Sequence, residues 1–114
     1  MTPLEAPSAL RSIALLAFAL GGVVAAPLRA EPAEHTVVID GMAYQPATLH
    51  VKRGDRVVWV NRDLVPHTAT AQRGAFDSGN IAAGARWATT ATQAGTLAYG
   101  CTYHPGMTAT LVVE

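Results

Sequence analysis

Beyond residue 30 the chain is cut into short apolar runs by turn residues that recur every eight to twelve positions or so. Asp40-Gly41, Arg53-Gly54-Asp55, Asp77-Ser78-Gly79, Ala83-Gly84 and Gln93-Ala94-Gly95 each offer Gly for positive φ or Asp for local capping. The runs between them are rich in Val, Thr, Tyr and Trp, and none keeps a helical period for long. This pattern predicts strands over 35–39, 48–51, 56–61, 67–71, 86–90, 96–101 and 109–113, and so an all-β sandwich or barrel. Within 56–61, Arg-Val-Val-Trp-Val-Asn, valines fall on both faces, which predicts a central strand covered on both sides. Trp59 is then core, as are Trp87, Phe76 and Tyr99, with the Tyr99 hydroxyl available for a hydrogen bond. No internal repeat, low-complexity tract or long linker interrupts the pattern.

The first thirty residues follow a different logic. Arg11 precedes an apolar stretch over 12–26 that ends in small residues. That stretch is shorter than the ~20 residues needed to span a bilayer and reads as a signal peptide over 1–30, cleaved after Ala30 with Leu28 and Ala30 at the −3 and −1 positions. The expected location is therefore the periplasm. Cutting thirty of the 114 residues leaves 84, enough for one small domain over 31–114. In that domain Lys52, Arg53, Arg56, Arg62, Arg73 and Arg86 face Glu31, Glu34, Asp40, Asp55, Asp63, Asp77 and Glu114, six positives against seven negatives. Near-neutrality excludes nucleic acid or an anionic membrane as the main partner and predicts no stable membrane association.

The chemistry is concentrated near the C-terminus. Cys101-Thr102-Tyr103-His104-Pro105-Gly106-Met107 places a thiol, an imidazole and a thioether in one short stretch. Singly, a lone Cys reads as a small buried hydrophobe, a lone His as a surface group and a late Met as core filler. Together, at C-x-x-H-x-x-M spacing between a Tyr-x-Cys strand and an apolar strand, they read as a mononuclear copper loop. Soft sulfur donors and imidazole suit a trigonal site of two His and one Cys with a weak axial Met. So short a loop cannot wrap a metal alone, and His67, in Leu64-Val65-Pro66-His67-Thr68, is the candidate for the second imidazole. Pro66 and Pro105 restrict φ beside the two imidazoles and help to hold them. Cys101 is the only cysteine, which rules out an internal disulfide and a four-sulfur zinc or iron–sulfur site. His35, at the fraying start of the domain, and His50, in a strand beside Lys52, read as bystanders.

From about His35 onward the chain also resembles the blue-copper cupredoxins, most closely the amicyanins, with plastocyanins and pseudoazurins more distant. The matching residues are Met42-Ala43-Tyr44, Leu49-His50-Val51-Lys52-x-Gly54-Asp55, Trp59-x-Asn61-Arg62, Pro66-His67, Ala94-Gly95-Thr96, Tyr99-x-Cys101-Thr102-x-His104-Pro105-x-Met107 and Val112-Val113-Glu114. The two residues between His104 and Met107 are the short-loop spacing of amicyanins. The resemblance implies a Greek-key β-sandwich with the metal at one end, between the loop after the Trp59 strand and the loop into the last strand. It implies one type 1 copper ion held by His67, Cys101, His104 and Met107.

Three residues depart from the amicyanin pattern. Thr68 replaces the Asn that links the ligand loops, and since a hydroxyl replaces only part of an amide a weaker link is expected; Tyr103 replaces Pro, and Gly106 replaces Phe. From Tyr103 and Gly106, a more flexible loop and a smaller hydrophobic rim, built from Met42, Leu64, Pro66 and Pro105, are expected. The function implied is a monomeric electron shuttle rather than an enzyme, docking transiently with redox partner proteins at the His104 face. The alternative is a copper carrier or store that delivers Cu(I). A carrier is expected to use exposed, Met- or Cys-rich ligands, whereas this chain has a single Cys in a redox-type ligand set.

Overall fold

The computed structural model describes residues 21–22 and 31–114. The expected signal peptide and its cleavage site therefore lie outside the described residues, apart from Gly21 and Gly22. Eight strands follow in order: β1 (Glu34–Asp40), β2 (Ala43–Gln45), β3 (Thr48–Val51), β4 (Arg56–Asn61), β5 (Thr70–Ala71), β6 (Arg86–Thr90), β7 (Gly95–Gly100) and β8 (Thr108–Val113). They make two four-stranded sheets, ordered β2-β1-β4-β6 and β3-β8-β7-β5. In each sheet one pair is parallel, β1 with β4 and β3 with β8, and the remaining pairs are antiparallel. The all-β sandwich predicted from turn spacing is the fold adopted.

β4 is central, between β1 and β6. Val57, Val58 and Trp59 are all buried on it, so both faces are covered, as the paired valines predicted. Trp59 and Tyr99 fill the space between the sheets, their rings edge to face at 5.6 Å. The Trp59 indole N–H donates to the Tyr99 hydroxyl at 3.2 Å, and burial pushes the Tyr99 phenol up to about 12. Phe76 and Trp87 are half-buried and pack against this core.

Two strands differ from the sequence expectation. The three-residue β2 is too short to show an alternation of its own; it is defined by pairing Ala43, Tyr44 and Gln45 with Asp40, Ile39 and Val38. The strand expected over 67–71 shrinks to β5, because the Thr68 and Ala69 amides turn to the Cys101 sulfur and the Ser78 hydroxyl instead of a neighbouring strand. His67 keeps only an isolated antiparallel bridge to Ile81.

The β1–β2 turn is made by Gly41 and Met42, with φ of 61° and 62°. Two successive left-handed residues are what a tight two-residue hairpin needs, and a Met there costs on the order of 1–2 kcal/mol.

At the opposite end of the sandwich the start of the domain is clipped rather than frayed. The buried Asp55 carboxylate contacts His35 Nε2 at 2.8 Å and accepts the Lys52 and Ala33 amides at 2.9 and 3.0 Å. These bonds, His35 foremost, hold its carboxyl at about 2.

Candidate metal centre

Two loops meet at the end of the sandwich where β4 and β7 finish and β8 begins. The first, from Arg62 to Ala69, is shaped by Asn61, which is fully buried. Its amide nitrogen donates to the carbonyls of Val65 and Ile81 at 2.9 and 3.0 Å, and its oxygen accepts the Asp63 amide at 2.9 Å. His67 exchanges backbone hydrogen bonds with Ile81 at 3.1 and 2.7 Å. Its side chain is thereby driven inward to zero exposure.

The second loop, 101–107, is closed on itself. The Cys101 amide donates to the Met107 carbonyl and the Met107 amide to the His104 carbonyl, both at 3.1 Å. Gly100 permits this closure, since a Cβ there would lie 2.8 Å from the Met107 carbonyl oxygen. Gly106, at φ 93°, reverses the chain just before Met107.

These loops bring together the residues expected from the sequence. Nδ1 of His67 lies 3.8 Å from Cys101 Sγ, Nδ1 of His104 lies 3.4 Å from the same sulfur, and the two nitrogens are 3.1 Å apart. Among the described residues, His67, Cys101 and His104 are the group whose donor atoms lie close enough, within 4.8 Å, to share a metal ion. Cys101 and His67 are buried and His104 is half-buried. Met107 is buried in the same core cluster as Cys101. One thiol and two imidazoles converging through Nδ1, with a thioether buried in the same core cluster, form a donor set suited to copper. His35 and His50 stand apart from it, His35 against Asp55 and His50 against Glu114 at 3.4 Å.

Three hydroxyls join the loops. Thr68 Oγ1 accepts the Thr102 amide at 2.9 Å, and the Thr68 amide points at Cys101 Sγ from 3.4 Å. The Thr68, Thr70 and Thr102 hydroxyls lie 2.9–3.3 Å apart, and the Thr70 hydroxyl donates to Asp77 at 3.0 Å. Tyr103 is tethered as well, its hydroxyl donating to Asn80 at 3.1 Å. The loop expected to be loosened by Tyr103 is thus tied across to the Asn80 segment.

Sequence reading missed Asp63. Its carboxylate receives His67 Nε2 at 2.7 Å, and its carboxyl is held below the ordinary carboxylate range, chiefly by the Met42 amide and also by His67 and Gly41. The only hint in the sequence was its position four residues before His67.

The rim carries exposed apolar side chains. Met42 and Leu64, named for it from the sequence, are 44% and 95% exposed, and Val65 and Tyr103 on the two loops are exposed as well. Pro66 and Pro105 are exposed as well.

This two-sheet sandwich, with a His-Cys-His cluster at one end, is the architecture of a copper protein, and sequence comparison agrees. Residues 33–114 match the family described as copper binding proteins, plastocyanin/azurin family, and the chain belongs to that family. Copper is accordingly its cofactor. Amicyanin of Paracoccus denitrificans is 37% identical over 92 residues, covering 75% of this chain and 70% of the relative; amicyanin of Paracoccus versutus is 34% identical over 89 residues, covering 73% and 67%. Among solved structures, the Cu(I) form of a methionine-to-alanine mutant of amicyanin superposes with a TM-score of 0.66 at 35% identity, over 79% of this chain and 89% of that one. A purple cupredoxin from Nitrosopumilus maritimus gives 0.65 at 26% identity, over 70% and 99%.

Proposed function

We propose that the protein is a periplasmic shuttle for single electrons, with one copper ion held by His67, Cys101, His104 and Met107. The observation that carries this reading is the convergence of His67 Nδ1, Cys101 Sγ and His104 Nδ1 within 4.8 Å at the closed end of a rigid sandwich. Copper bound there supplies a one-electron couple between Cu(II) and Cu(I). The chain's part is to keep the donors still. Burial excludes water from Cys101 and His67, the Ile81 bridge and the Asp63 carboxylate hold one ring, and the short loop holds the other. Half-buried His104, beside the rim of Met42, Leu64, Val65 and Tyr103, is the port for electrons, and such a patch fits brief docking of a partner to a monomer. Residues 1–30 serve as the export signal and 31–114 as the working domain. No helix among the described residues is long and apolar enough to cross a membrane.

The absorption spectrum of the copper-loaded protein tests the reading. Thiolate-to-Cu(II) charge transfer gives an intense band near the red end, and Cys101→Ser, which substitutes a hard, poorly ionised oxygen for the soft sulfur, abolishes it. A colourless Cu(II) protein, or a Ser variant that keeps the band, overturns the assignment. A carrier that holds Cu(I) by the same residues but forms no blue site when loaded with Cu(II) gives the first of those results.

A further inference from the structure

We propose that Asp63 is a positioning residue that locks the exposed Gly41-Met42 turn and the buried His67 ring into one unit, so that contact at the turn is felt at the metal centre. The inference rests on the reading of His67 as a ligand.

One carboxylate serves three donors. Oδ1 accepts the Gly41 amide at 2.7 Å, and Oδ2 accepts both the Met42 amide at 2.9 Å and His67 Nε2 at 2.7 Å. Two successive left-handed residues aim their N–H groups into one concavity, which is a natural seat for an anion. The φ of 62° at Met42 is uncommon for a residue with a side chain, and a strained conformation persists where its surroundings impose it. Here the surroundings are Asp63, itself fixed by its own amide on Asn61 and by the neighbouring Arg62 amide on the Ile39 carbonyl at 2.8 Å.

The other end of the link is the ligand ring. An ionised carboxylate only accepts, so it requires a proton on His67 Nε2, which in the neutral ring leaves the Nδ1 lone pair facing the cluster, 3.1 Å from His104 Nδ1 and 3.8 Å from Cys101 Sγ. The opposite tautomer would set a lone pair against the carboxylate oxygen. Met42 is 44% exposed at the rim. A partner pressing on it pushes the amides that hold the carboxylate that holds the ring.

The test begins with wild-type protein free of metal. Long-range proton–nitrogen NMR of His67 is expected to show one tautomer, protonated at Nε2 and slow to exchange; a mixture of tautomers overturns the proposal without any variant. Asp63→Asn, which keeps the shape but offers one acceptor oxygen in place of two, is expected to mix the tautomers and to speed copper loss to a chelator roughly tenfold. Unchanged tautomers and unchanged loss overturn the proposal. The coupling is read from a double-mutant cycle on the reduction potential. Met42→Gly, which relieves the turn without touching the ligands, is expected to shift the potential in the wild-type background and by less than half as much in Asp63→Asn. Equal shifts in the two backgrounds mean that Asp63 does not carry the coupling. Absence of a blue site in the wild type is a separate failure, that of the ligand assignment, because the His67 tautomer is measured without copper.

Discussion

The Thr68 hydroxyl oxygen accepts the backbone N–H of Thr102 at 2.9 Å, so one side chain in the loop that carries His67 holds the loop that carries Cys101 and His104. Thr68 is 3% exposed and its own amide faces Cys101 Sγ. The link expected to be weakened by a Thr in place of Asn is therefore made, and the Thr70 and Thr102 hydroxyls extend it to Asp77. Thr68→Val leaves the Thr102 amide without this acceptor. A loss of about 1–2 kcal/mol is expected in urea unfolding of the metal-free protein, together with faster copper loss. Thr68→Ser is expected to retain both properties, and a Val variant as stable as wild type would show that water replaces the hydroxyl.

Gly100 concerns packing. A methyl at this position meets the Met107 carbonyl at 2.8 Å, and that carbonyl accepts the Cys101 amide. Gly100→Ala must displace backbone at the base of the loop, with an expected cost of about 1–3 kcal/mol and a weaker grip on copper. Unfolding curves with and without metal measure both effects. A metal-free variant with wild-type stability would mean that the loop yields without strain.

Met107 is expected to tune the site rather than hold it. Replacing the thioether by the harder oxygen of Gln favours Cu(II), so Met107→Gln keeps a coloured centre and lowers the reduction potential. Protein-film voltammetry reads the shift. An unchanged potential would assign Met107, which is 6% exposed, to the core alone.

The pH dependence of stability is expected to show Asp55. Its carboxyl sits at about 2 in the folded protein against an ordinary 3.8, held down by His35 and by the Lys52 and Ala33 amides. A depressed carboxyl contributes stability that is fully present above its ordinary value and is lost as pH falls through its folded value. The melting temperature of the metal-free protein should therefore fall as pH drops from about 4 to about 2, and Asp55→Asn should flatten that part of the curve. Equal slopes for the two proteins would show that the clip does not survive in solution.

What the sequence determined by itself is local. Gly-containing turns and β-rich runs need no tertiary partner to be recognised, and they foretold β4 and its burial on both faces. The C-x-x-H-x-x-M spacing is legible because a loop of seven residues holds its donors close in space whatever surrounds it. His67 was found by chemical need, since a second imidazole had to come from another loop.

Tertiary structure decided the rest, through contacts between residues far apart in the chain. β2 exists because three residues pair with β1, and no three-residue segment carries a period of its own. The strand expected at His67 gave way because the Thr68 and Ala69 amides found a sulfur and a hydroxyl from other loops. Asp63 lies four residues before His67, yet its meaning depends on the Gly41 and Met42 amides some twenty residues earlier. The Thr68–Thr102 link spans 34 positions. Hydrogen bonds are short and directional, so which polar side chain meets which buried amide is settled only when the register of two sheets places them within about 3 Å, and that register is a property of the whole packed core.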